Sequence, residues 1–222
     1  MKSQEIVKPF VIEAKKRIQK KILKDNLVIF ISRVMEDIKT REEYNLFGRV
    51  RDFYVVMNPY SNYNGNKIYE YFNGELQMGD GLILDEEEAN FVRIIFGELD
   101  INFQFRDRKV MKGRLKGILT KLCEKHFPES CKIVEPVLFA RLIGAARGIE
   151  KFSKMPASTI QLIGAEKPLF KHVALGRKCP KYGLLYNSKF VQNEENKGKA
   201  ARQLACKLAI SSKVDYFNMV GE

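Results

Sequence analysis

A chain of 222 residues with 45% apolar and 30% charged side chains has the length for one or two domains and the apolar content to bury a core, which excludes a disordered tail. Its formal net charge of +12 lies mostly at one end: residues 136–222 carry fifteen Lys/Arg against six Asp/Glu, leaving a surplus of three for the first 135. Such asymmetry points to a polyanion as partner, with nucleic acid ahead of an acidic membrane or protein.

No run of eighteen apolar residues is present, and MKSQEIVKPFVIEAKKRIQKK lacks the continuous apolar core of a secretory leader, so a soluble, intracellular protein with no membrane contact is expected. Cys123, Cys131, Cys179 and Cys206 lie 8, 48 and 27 residues apart, which fits no close-paired zinc pattern. With His126 and His172 as the two histidines, no metal site is expected, the cysteines read as free thiols, and both histidines read as surface or helix-end residues.

Along the chain, apolar residues at Leu27, Ile31, Val34 and Ile38, then at Leu46, Val50, Phe53 and Met57, predict a seam on one long helix over 27–57, with one gap of eight. Val92, Phe96, Leu99 and Phe103, then Met111, Leu115, Ile118 and Leu122, predict a second seam, with acidic residues 85–88 suited to a helix N-terminus. Between the seams, NPYSNYNGNKIYEYFNGELQMGDG is dense in Asn, Gly, Tyr and Pro and predicts an irregular tip over 58–85. Tyr60, Tyr63, Tyr69 and Tyr71 in it are assigned to packing of the tip. The simplest arrangement is an antiparallel coiled-coil hairpin over residues 1–135, self-associating through whatever apolar surface one hairpin leaves open.

Pro128 and Pro136 mark a change to a second, compact helical domain over 136–222. Gly144 and Gly148 are expected to let another helix approach closely. Neither that pair nor Gly79 and Gly81 follows a strand with dinucleotide-loop spacing, so no nucleotide cofactor is expected. Pro156, Ala157 and Ser158 predict a helix start, with a short helix over Thr159 to Phe170 limited by Pro168. GRKCPKYGLLY, 176–186, reads as a basic loop leading into an apolar run. Lys197 to Phe217 predicts an amphipathic helix with Ala200, Leu204, Leu208 and Ser211 on its buried side and Lys199, Arg202 and Lys213 elsewhere. The whole chain is read as all-α.

KMPASTIQLIGAEKPLF, PKYGLLYNS and GKAARQLACKLAISSKVDYF, in that order and spacing, closely resemble the Nop domain, nearest to the archaeal Nop scaffold of box C/D ribonucleoproteins. The resemblance is strong over about 136–217 and weaker over 13–135. It implies dimerisation through a coiled coil, and a Nop domain that binds a kink-turn box C/D guide RNA already occupied by a small ribosomal-type protein. The family's N-terminal domain, which recruits the methyltransferase fibrillarin, is expected to be missing here, as in a truncated chain or a short family member; fibrillarin is therefore an expected partner only where that domain is supplied. The lysine-rich tail of many relatives is expected to be missing as well.

Carried over position by position, the resemblance assigns RNA and partner contacts to Thr159, Gln161, Ala165, Glu166, Lys167, Lys171, Lys199 and Arg202, and to Asn187 where some relatives have a histidine. Thr159 and Gln161 are expected to set specificity, and Lys167, Lys199 and Arg202 the salt dependence. The expected location is the archaeal cytoplasm, or the nucleolus or nucleus in a eukaryote. A catalytic reading of Glu166 and Lys167 fails on geometry, since adjacent helical residues point about 100° apart. A scaffold without catalytic residues is thus expected to support guide-directed 2′-O-methylation; the alternative is a coiled-coil adaptor that does not recognise RNA.

Overall fold

The computed structural model describes residues 25–38, 44–57, 86–97 and 107–221, all of them in helices or the turns between them, with no strand among the described residues. The all-α class is as expected. The tip at 58–85 with its four tyrosines, Asp85, and the seam positions Leu99 and Phe103 lie outside the described residues. Two units make up the chain, Met1–Ile118 and Leu119–Glu222.

In the first unit, helix α1 covers 25–38 and helix α2 Tyr44–Met57. The expected single helix over 27–57 is replaced by a packed pair. Phe30 and Phe53 stack with ring centroids 4.5 Å apart, and Arg49 Nε donates to Asp37 Oδ2 at 3.1 Å. Along one continuous helix the two rings would stand roughly 35 Å apart. The gap of eight between Ile38 and Leu46 is what permits the fold-back, and it brings seam onto seam: Leu27, Ile31, Val34, Ile38, Leu46, Val50 and Phe53 are all buried. Helix α3, Glu86–Gly97, opens on acidic residues, and Val92 and Ile95 lie on its buried side. Helix α4, Arg108–His126, starts on Asp107, whose Oδ1 accepts from the amides of Lys109 and Val110 at 2.9 and 3.1 Å, a side-chain N-cap. Its seam residues Met111, Leu115, Ile118 and Leu122 are buried. The described seam residues are thus covered within one chain.

The second unit is built on its last helix. Helices α5 (Pro128–Cys131), α6 (Pro136–Ala146), α7 (Ile149–Lys154), α8 (Ala157–Leu162), α9 (Glu166–Leu175) and α10 (Lys189–Asn193), with a 3₁₀ turn at Leu184–Asn187, precede the 25-residue α11, Lys197–Gly221. Helices α5, α7, α8 and α10 all pack on α11. Small side chains make this possible: Ala200, Ala201, Ala205, Ser211 and Ser212 are buried beside Leu204 and Leu208. Asn196 starts α11, its Oδ1 accepting from the Lys199 amide at 3.2 Å. Near the other end, buried Asp215 accepts from the amides of Glu129 and Ser130 at 3.0 and 2.9 Å, so a carboxylate on α11 ties down the start of α5.

Helix α6 is buried nearly all round, and Phe127, Phe139 and Phe152 stack edge to face at 5.6 and 5.8 Å to form the centre of the core. Gly148 serves as a turn between helices. The helix stops at Ala146 with Arg147 left-handed at φ 63°, and Gly148 at φ 130° turns the chain into α7.

Candidate RNA-binding surface

The expected helix over Thr159 to Phe170 is two helices. Helix α8 starts after Pro156, whose backbone carbonyl, with no side-chain cap from Ser158, receives the amides of Thr159 and Ile160. The break falls at Ile163–Ala165 because Gly164 sits at φ 84° and a Cβ there would lie 2.6 Å from Leu184 Cγ. Pro168 then occupies the first turn of α9, where a missing N–H costs nothing, rather than ending a helix. Glu166 reaches back so that its Oε1 accepts from the Gly164 amide at 2.7 Å. Gly164 and Glu166 therefore build the turn, and Ala165 is buried, so its side chain is not on the surface where the sequence placed it. Lys167 and Lys171 remain exposed on α9.

A second segment runs against α8. The Gly183 amide donates to the Gln161 carbonyl at 2.9 Å and the Leu184 amide to the Ile163 carbonyl at 2.7 Å. The approach is close enough that a Cβ on Gly183 would lie 2.0 Å from the Ile163 oxygen. Gln161 Nε2 donates to the Lys181 carbonyl at 2.6 Å.

These elements and the start of α11 enclose an open cleft of about 640 Å³. Lys178 and Lys181 from the 176–183 loop and Lys199 and Arg202 from α11 bring four cations to it, while Leu162 and Pro180 add apolar surface and Ser158, Gln161 and Asn196 polar groups. Among the described residues, no carboxylate lines the cleft. The positive end of α11 is there too, so fixed dipole and mobile cations have the same sign. The arrangement suits a phosphate backbone: several cations on two walls, with polar side chains able to orient what lies between them.

Of the residues assigned from sequence, the structure gathers Gln161, Lys199 and Arg202 in this cleft. Thr159 is exposed on α8 without lining it. Asn187 is exposed and its Nδ2 donates to the Leu184 carbonyl at 3.1 Å, closing the 3₁₀ turn. Beside it Tyr182 and Tyr186 stack at 4.9 Å with Lys197 Nζ 5.4 Å from the Tyr186 ring centre. Lys178 and Lys181 were missed as site residues. Their signal in the sequence is the basic, proline-containing loop itself.

Helix α9 has a different character. None of its residues is buried, and Phe170, Val173 and Leu175 are 71%, 78% and 65% exposed. Gly176 ends it at φ 61°, and His172 Nδ1 contacts the Arg177 carbonyl just beyond. A ten-residue helix that presents three large apolar side chains to solvent offers more apolar surface than scattered single exposures require.

The family described as Nop, snoRNA binding domain, fibrillarin, matches residues 103–222, more than half of the chain. This chain belongs to the Nop family. It is 46% identical over 119 residues to an uncharacterised NOP5 family protein of Methanocaldococcus jannaschii, a match covering 53% of this chain and 28% of that protein. It is 30% identical over 229 residues to nucleolar protein 56 of Caenorhabditis elegans, covering 87% of this chain and 46% of that one. The chain thus spans less than half the length of either relative. A chain in the crystal structure of a fibrillarin/Nop5p complex shares its fold, with a TM-score of 0.50 and 20% identity, covering 97% of this chain and 71% of that one.

Proposed function

We propose that this Nop-family chain is an RNA-binding scaffold of a box C/D-type ribonucleoprotein, with residues 136–222 as the domain that recognises a kink-turn guide RNA together with its small ribosomal-type protein. The observation that carries this reading is that the chain runs from one surface straight into the other, α9 lying in sequence between α8 and the 176–183 loop, both of which line the cleft. A cleft with four cations and no carboxylate suits RNA phosphates, and the uncovered apolar helix α9, flanked by Lys167 and Lys171, suits a protein bound next to that RNA. Neither surface alone would discriminate, since phosphate contacts carry little sequence information and α9 is short; together they read a shape. Fibrillarin enters as a partner of the assembly, in keeping with the complex in which the fold neighbour was solved, and supplies the methyl transfer that this chain supports.

Separating the two surfaces tests the proposal. Lys199→Ala with Arg202→Ala should weaken binding to bare kink-turn RNA and to the protein-loaded RNA alike. Phe170→Ser with Val173→Ser should weaken only the latter. Loss of bare-RNA binding in the α9 variant, or indifference of both complexes to the α11 variant, would overturn the assignment.

A further inference from the structure

Gln161 has both backbone and side chain engaged with the loop that carries two of the cleft's cations. Its carbonyl accepts from the Gly183 amide at 2.9 Å, and its Nε2 donates to the Lys181 carbonyl at 2.6 Å. Two residues beyond Gln161, the Ile163 carbonyl accepts from the Leu184 amide at 2.7 Å. Gly183, with no Cβ to collide with Ile163, allows the loop to lie against α8 at that distance. The two backbone bonds fix the chain at 183–184. The side chain of Gln161 extends the hold to the backbone of residue 181. The Lys181 stem in turn lies close to the start of α11, since a Cβ on Gly198 would be 3.4 Å from Lys181 Cδ.

We propose that Gln161 is a positioning residue, not a reader of the RNA: it sets where Lys178 and Lys181 stand on one wall of the cleft relative to Lys199 and Arg202 on the other. The inference rests on the reading of the cleft as a phosphate-binding surface. An amide with one N–H committed inside the protein has less to offer a base edge, whereas a loop held in place before the RNA arrives has less freedom to lose on binding. Gln161 then contributes to affinity through two lysines it does not itself resemble in charge.

The test uses the full chain and needs two readouts. Without RNA, Gln161→Ala should speed amide hydrogen exchange severalfold across 178–182 and leave the α11 amides unchanged, which shows the loop released and the fold intact. With a kink-turn RNA, Gln161→Ala should weaken binding roughly fivefold to tenfold at an unchanged salt slope, the scale of one lost hydrogen bond. Combined with Lys178→Ala and Lys181→Ala, the same change should add almost nothing, because the groups it positions are gone. Exchange across 178–182 equal to that of the unaltered chain would overturn the proposal, and so would a loss in affinity that adds in full to that of the lysine variants, the result expected of a direct base contact. Should the unaltered chain bind no RNA, the phosphate-binding reading fails by itself, and the exchange measurement still decides whether Gln161 holds the loop.

Discussion

Cys123 and Cys179 show how far one residue type can diverge within a single chain. Cys123 is fully buried, and both its hydrogen bond with Cys131 and its burial push the thiol well above its ordinary value, so it stays protonated through neutral and mildly alkaline pH. Cys179 and Cys206 are exposed, and Cys179 lines the cleft. Timed alkylation of the folded chain followed by mass spectrometry should therefore label Cys179 and Cys206 readily and Cys123 only after denaturation. Bound RNA should slow labelling of Cys179. Labelling of Cys123 at the rate of Cys179 would contradict the burial, and a Cys179 rate indifferent to bound RNA would place the RNA elsewhere.

Helices and turns show what the sequence made legible and what it hid. Periodicity alone identified the buried side of α11, because Ala200, Leu204, Leu208 and Ser211 recur at helical spacing and a 25-residue helix tolerates small errors at its ends. The same spacing, with its one gap of eight, suits a single helix over α1 and α2, and a start at Pro156 to Ser158 with a limit at Pro168 suits a single helix over α8 and α9. What divides them is long-range: the stacking of Phe30 on Phe53, and the contact of Gly164 with Leu184, twenty residues away. The cleft was half legible for a similar reason. Lys199 and Arg202 follow from a helical face, but Lys178 and Lys181 join them only because α8 holds the loop by backbone bonds to which the side-chain pattern gives no clue. Gly183→Ala tests this clamp. With a Cβ 2.0 Å from the Ile163 oxygen, the loop must move away, and urea unfolding should report a loss of about 2 kcal/mol or more, the scale of local backbone strain, whereas Gly113→Ala, with open space on α4, should be neutral or slightly stabilising. Equal effects of the two substitutions would refute the close approach.

For the whole molecule, the charge asymmetry visible in composition now has a location. The basic surplus of the last 87 residues supplies the cleft with Lys178, Lys181, Lys199 and Arg202, and α9 with Lys167 and Lys171. If the cleft follows an RNA backbone, each cation that neutralises a phosphate should contribute about 0.7 to 0.9 to the slope of log affinity against log salt. Replacing all four cleft cations by alanine should flatten that slope by roughly three to three and a half. Replacing Lys132, Lys151 and Lys154, exposed and outside the cleft, should leave it nearly unchanged. Equal flattening by both sets would mean diffuse attraction in place of a defined surface.

The most direct measurement of composite recognition is equilibrium binding of the full chain to four ligands at one salt concentration: a kink-turn RNA and an unkinked duplex, each with and without the small kink-turn-binding protein. The account predicts tight binding to the protein-loaded kink-turn, with each component contributing and bare duplex bound weakly and without preference. Equal affinity for all four, or tight binding to the small protein with no dependence on RNA, would contradict it.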